Sequence, residues 1–189
     1  MSAQNTPTAE LREEHQLILR VVDVLEEIIR RGSTGGEADV KGVSSCITFF
    51  RQFTDACHHG KEEGLLFPEL EAHGMPVEGG PIAVMLEEHR IGRELVGRMA
   101  DAVEAVTGGD EDATARLWRA ARNYVDMIRG HILKEDGILF DMADMMIVGP
   151  ACRQLCEAYA TTCLGHLDGH TREELEIMAG GLVKEYLVA

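Results

Sequence analysis

Over residues 9–31 apolar side chains return at steps of three and four: Leu11, Ile18, Val22, Leu25 and Ile29, with His15 on the same side. That spacing marks one face of a helix. The pattern predicts a first helix from about Ala9, with Thr8 as its cap, stopped by GSTGG at 32–36. A second helix is predicted from about Asp39 to Glu71. Phe49, Phe50, Phe53, Cys57 and Leu65 are its apolar positions, and Gly60 and Gly64 are local weak points. HGMPVEGGP at 73–81 reads as a loop. A third helix is expected over about 82–106. A fourth, over about 112–146, would be capped by Asp110 or Asp112 and carry Leu117, Ala121, Tyr124, Ile128, His131 and Glu135 on one side. Gly149–Pro150 breaks the chain before two shorter helices, about 150–163 and 171–187. Strand-like alternation is absent. The expected fold is all-α: an up-down-up-down four-helix bundle of two pseudo-repeated hairpins over 1–148. A short helical C-terminal appendage, 149–189, should pack on the same domain.

Composition narrows the partners. The chain of 189 residues is long enough for one sizeable core. Its formal net charge of −15 repels phosphate backbones, so nucleic acid is not an expected partner. Neither a basic amphipathic helix nor an apolar run of membrane-spanning length points to a membrane. The first residues lack a basic start followed by an apolar run, so the expected location is the cytoplasm. In that reducing setting Cys46, Cys57, Cys152, Cys156 and Cys163 are expected as free thiols, most simply as small buried apolar groups.

The informative feature is a repeat. HHGKEEGLLF at 58–67 and HILKEDGILF at 131–140 share six of ten positions. Each contains H-x-x-K-E, and on a helix residues four apart stack one turn above each other. His58 with Glu62, and His131 with Glu135, can therefore converge on one cation. EEH recurs as well, at 13–15 and 87–89, with 43 residues from His15 to His58 and 42 from His89 to His131. The repeat unit is thus a whole helical hairpin. Two such hairpins related by a pseudo-twofold axis would gather His15, His58, Glu62, His89, His131 and Glu135 in one core. Burying two carboxylates and four imidazoles without a cation would be costly. Imidazole and carboxylate without thiolate suit iron, manganese or zinc, and six ligands for two ions leave room for an exogenous molecule.

At these residues the chain resembles the hemerythrin-like, or HHE cation-binding, family. The resemblance runs over roughly residues 9–146, through His15, HHGKEEGLLFPEL, GPIAVMLEEHRIGREL and HILKEDGILF. It implies a four-helix bundle holding two non-haem irons, bridged by carboxylate and by an oxo or hydroxo group. On that pattern Glu62 and Glu135 bridge, and His15, His58, His89 and His131 are terminal ligands. Members bind oxygen, nitric oxide or peroxide, sense iron or oxygen, or help repair iron–sulfur centres. The expected partner is a diatomic or peroxide ligand, with a protein redox partner or a second copy as further options. Oxygen carriers of the family place a fifth histidine four residues after the third-helix ligand, where this chain has Arg93. That departure points away from reversible oxygen storage. Whether turnover occurs is decided by the surroundings of such a site rather than by its ligand set.

Other residues come second. His59, Glu63 and Asp136 are second choices as ligands. The simpler reading of His59 is a packed or partly exposed histidine, since its counterpart is Ile132. Tyr124, seven before His131, is a candidate neighbour of a bound ligand. Lys61 and Lys134 are expected outside the bundle in surface pairs. His166 and His170, four apart between glycines, form a weak second metal pair.

Overall fold

The computed structural model describes residues 6–34, 38–110, 112–163 and 169–188. His166, and with it the suggested His166–His170 pair, lies outside them. Among the described residues the chain is helical without strands, and four long helical stretches fit a four-helix bundle. The first is α1 (Ala9–Ser33). Thr8 sits at its cap position, but its hydroxyl donates to Asp144 Oδ1 at 2.8 Å instead of capping the helix. The second begins with α2 (Val40–Phe49), capped by the Asp39 side chain on Gly42 N. It then departs from the single α-helix expected. Residues Phe50–His59 and Glu62–Leu66 are π-helical, and α3 (Phe67–Ala72) completes the stretch. The third is α4 (Pro81–Thr107). The fourth is α5 (Ala113–Lys134), a π-helical turn at Glu135–Leu139, and α6 (Phe140–Met146). Neither expected cap forms there: Asp112 makes no side-chain cap, and Asp110 accepts from Asp112 N. π-helical turns are uncommon and often mark functional positions. Here both stretches that carry H-x-x-K-E contain them.

Each long stretch crosses from one apolar cluster to another through a polar layer. Ile18, Phe53, Cys57, Met99, Ala121 and Ile128 belong to the larger cluster, and Leu11, Leu66, Met85, Leu139 and Phe140 to the smaller. Between them lie His15, His58, Glu62, His89, His131 and Glu135, all 1% exposed or less. The two apolar clusters hold the helices together and bury the polar layer between them.

Gly149, at φ 64°, takes the left-handed turn that an L side chain resists, and Pro150 then opens α7 (Pro150–Thr162). α8 (Arg172–Leu187) starts at a capping box between Thr171 and Glu174. Its buried face of Leu175, Ala179, Leu182, Val183 and Tyr186 joins the larger cluster against α1. Tyr159 and Leu155 of α7 join the smaller one. The free-thiol expectation fails for two cysteines: Cys57 and Cys163 are disulfide-bonded, tying the end of α7 to the helix bearing His58. Their separation of 106 residues leaves no local sequence signal. Cys46, Cys152 and Cys156 keep their thiols. Burial pushes the Cys46 thiol up to about 12, and burial beside Cys152 pushes Cys156 up to about 11. Among the described residues no helix is long and apolar enough to cross a membrane.

Candidate metal centre

The polar layer resolves into two adjoining groups. Ligand atoms of His15, His58, Glu62 and Glu135 lie within 4.8 Å of one another, and so do those of His59, Glu62, His89 and His131. Glu62 belongs to both. Its Oε1 is 3.6 Å from His58 Nε2 and its Oε2 is 3.4 Å from His89 Nε2. Glu135 also reaches across: Oε2 is 3.2 Å from both His15 Nε2 and His131 Nε2, and Oε1 is 3.9 Å from His89 Nε2.

All six residues of the first-choice set therefore converge, and His59 joins them. Packing alone does not account for His59. It is 5% exposed, its ring stacks on His89 at 3.8 Å between centroids, and it faces the second group while His58 faces the first. Two neighbouring helical residues point about 100° apart, which suits them to two adjacent groups. Reasoning from the repeat misses this because the matching position, Ile132, lies in the apolar core.

Behind each imidazole stands a carboxylate. Nδ1 of His15 pairs with Asp136 at 2.9 Å, His58 with Glu14 at 2.9 Å, His89 with Glu63 at 2.7 Å and His131 with Glu88 at 3.0 Å. His59 Nδ1 lies 3.4 Å from Asp55. An ionised carboxylate only accepts, so Nδ1 carries the proton and Nε2 turns a lone pair inward. Glu63 and Asp136, second choices as ligands, occupy this supporting position instead. The first Glu of each supporting pair belongs to EEH: Glu14 holds the histidine of its own hairpin's second helix, and Glu88 does the same. Glu63 and Asp136 reach across to the EEH histidine of the other hairpin.

The lysines are also more than surface residues. Lys61 is fully buried and donates to Glu14 at 2.6 Å and to Glu10. Lys134, 39% exposed at its side chain, donates to Glu88. Arg93, standing where oxygen carriers have a histidine, bonds Asp55 and Glu63 at 2.7 Å each. It thereby fixes the supports of His59 and His89.

The donor set fits a cation. His15 Nε2, His58 Nε2 and both oxygens of Glu62 and of Glu135 are buried without a hydrogen-bond partner. His89 Nε2 and His131 Nε2 face each other at 3.2 Å, where two lone pairs repel unless something positive lies between. Titration carries the same message. Burial opposes a charge on His15, yet Asp136 at its Nδ1 and the nearby carboxylates of Glu135 and Glu62 raise it to about 9. Burial is likewise outweighed at His89, which Glu135, Glu62 and Glu63 raise to about 11. Glu135 is held well below the carboxylate range against burial, through the charge of His131 and the nearness of His15 and His89. Burial and the repulsion of His89 and His58 push His59 down.

Tyr124 is 2% exposed and lines a cavity beside His59, His89 and His131. Burial raises its phenol far above the ordinary value, so it stays protonated. Tyr159 of α7 has a buried hydroxyl with no partner, and its ring lies 5.8 Å from Lys61 Nζ.

Helices crossing a buried layer of inward-facing imidazoles and carboxylates define a cation-binding helical protein. The profile of the hemerythrin HHE cation-binding domain matches residues 6–143, and the chain belongs to that family. An uncharacterized protein of Mycobacterium tuberculosis is 25% identical over 154 residues, which cover 82% of this chain and 60% of that protein. The iron–sulfur cluster repair protein YtfE of Citrobacter koseri is 33% identical over 108 residues, and that of Escherichia coli is 32% identical. These cover 54% of this chain and 47% of YtfE. The chain thus spans about half to three fifths of the length of these relatives. No solved structure matches it significantly.

Proposed function

We propose that the chain is a non-haem di-iron protein whose metal pair binds or reacts with dioxygen, nitric oxide or peroxide, in oxidative or nitrosative stress or in iron homeostasis. The observation that carries this reading is the convergence of seven side chains around orphaned buried donor atoms, in two groups that share Glu62. His15, His58 and Glu135 would hold one iron, and His59, His89 and His131 the other. Glu62 would bridge, and Glu135, within reach of His131 and His89, would be the second bridge. On this reading the bundle is an up-down-up-down pair of hairpins related by a pseudo-twofold axis, and 149–189 is part of the same domain. Bound iron would supply redox change and an open coordination position. The chain's own residues orient the imidazoles, exclude water and keep Nδ1 protonated. The relatives named for iron–sulfur cluster repair bring iron homeostasis into the proposal.

A second reading, an iron- or oxygen-responsive module without turnover, draws on one contact. Arg172 of α8 bonds Glu14, the support of His58, at 2.6 Å. Metal loss would be felt at the C-terminal helix.

The test is metal content and optical spectrum of protein purified without air, then exposed in turn to dioxygen, hydrogen peroxide and nitric oxide. The expected result is two irons per chain and bands that change with at least one of the three. One ion or none, or two ions blind to all three, would overturn the reactive di-iron reading.

A further inference from the structure

The cavity beside His59, His89 and His131 is larger than the ligands considered so far. It measures about 270 Å³. A water takes roughly 30 Å³ of liquid volume, so a diatomic or hydrogen peroxide needs only a small part of this space. An apolar protein cavity of roughly 150 Å³ accepts benzene. There is room here for a two-atom polar head together with a carbon group at least that large.

The walls suit such a group. Phe50, Val96, Tyr124, Met127 and Ile128 line the cavity together with the three imidazoles. Arg51, exposed, and Asp55 and Arg93, joined as an ion pair, lie at the polar side of the lining. Thr54, 1% exposed, adds a hydroxyl to the lining that pairs with Tyr124. The opening depends on Gly92. A Cβ at that position would stand 3.0 Å from Met127 Cε and 3.9 Å from Tyr124 Cε2, so any side chain there enters the cavity. A small hydrated ligand gains nothing from these walls, whereas a carbon group removes apolar surface from water on both sides.

We propose that the cavity is a binding site for an alkyl or aryl hydroperoxide, with the –OOH group at His59, His89 and His131 and its carbon group among Phe50, Val96, Met127 and Ile128. Of dioxygen, nitric oxide and peroxide, only peroxide keeps its functional group when carbon replaces a proton. The proposal rests on the reading of this centre as one that receives an exogenous ligand, and it deepens that reading by naming the substrate class.

Binding is measured on the full-length chain, metal-free and iron-loaded, with 2-phenylpropan-2-ol, the unreactive alcohol counterpart of cumene hydroperoxide, by ligand-observed NMR titration. Saturable binding to both forms is expected. Gly92→Leu should weaken it roughly tenfold or more, since the new side chain displaces buried apolar contacts. Val96→Phe fills the same space from another wall and serves if Gly92→Leu does not fold, with circular dichroism and metal content as controls. In a second arm, the iron-loaded chain should respond optically to cumene hydroperoxide at lower concentration than to hydrogen peroxide. No saturable binding to the wild-type chain, or unchanged binding in a folded cavity-filling variant, overturns the proposal. So does a stronger response to hydrogen peroxide. A chain that takes up no iron on loading yet binds the alcohol contradicts the di-iron reading but not the cavity. A chain with two irons that does not bind it does the reverse.

Discussion

The two hairpins use nearly the same phrase and build unlike surroundings. Around His15 and His58 the supports are mixed: Asp136, behind His15, is 29% exposed at its side chain, while those behind His58 are enclosed. Lys61 is fully buried, Glu14 is 1% exposed, and Arg172 from α8 bonds Glu14 and Glu10. Tyr159 packs over the same side, and Cys163 is bonded to Cys57 beside His58. Around His89 and His131 the matching lysine, Lys134, is 39% exposed, Glu88 is 19% exposed, and a cavity reaches the imidazoles. α8 packs mainly on α1 and α2, and α7 on the π-helical turn bearing Glu62. A duplicated set of candidate ligands thus meets enclosed support at His58 and a cavity at His89 and His131.

The shared residue tests this contrast most severely. Glu62→Ala removes the carboxylate common to both groups, and metal analysis should find less than one ion per chain. Retention of two ions would refute a shared ligand.

The supports should then respond unequally. Glu14→Gln removes the buried carboxylate that Lys61 and Arg172 share, leaving Lys61 only the part-exposed Glu10. Breaking a buried pair costs about 3–5 kcal/mol, which denaturant unfolding of the metal-free chain would register. Glu88→Gln leaves a half-exposed lysine, so its main expected effect is on metal: a loss of affinity of roughly 10–100-fold, as for other supports of metal-bound histidines. Equal destabilisation by the two changes would erase the proposed asymmetry. Acid should sharpen it. Burial raises the Glu14 carboxyl, but the bond and charge of His58 and the charge of Lys61 prevail and hold it at about 2, below the ordinary 4.5. A depressed carboxyl stabilises the fold fully above its unfolded value and loses that effect as pH falls through its folded value. In the metal-free chain this stabilisation is complete above about pH 4.5 and drains away toward pH 2, and Glu14→Gln should flatten that part of the curve.

The disulfide comes next. Cys163→Ser opens a covalent loop of 106 residue separation. Chain entropy alone puts the loss at roughly 2–5 kcal/mol under oxidising conditions. The same substitution under reducing conditions should change little. The smallest effect is at Cys46, fully buried, with its thiol pushed up to about 12. Alkylation at pH 8 should leave it unmodified in the folded chain and label it after denaturation.

Much of this was legible in the chain. The helix bounds follow the apolar steps and the Gly–Pro breaks, and His15, His58, Glu62, His89, His131 and Glu135 stand out by repetition. Repetition was less informative at His59: its counterpart Ile132 is apolar, yet His59 stands packed against His89 in the second group. Arg93 signals the same exchange: it replaces a possible α4 ligand and braces Asp55 behind His59. EEH and K-E were visible twice, but their reciprocal bonds needed the packing of neighbouring helices to be known. The Cys57–Cys163 bond and the packing of α7 and α8 have no periodic signature at all, because they depend on where the chain returns after Gly149.

The most direct test of a shared centre with one open half is a crystal of the iron-loaded chain soaked in azide, with anomalous scattering recorded at the iron edge. Two peaks are predicted, about 3.5–4 Å apart as in other two-metal sites, on either side of Glu62. Azide should lie in the cavity on the His59, His89 and His131 side. A single peak, or azide on the His15 and His58 side, would contradict the account.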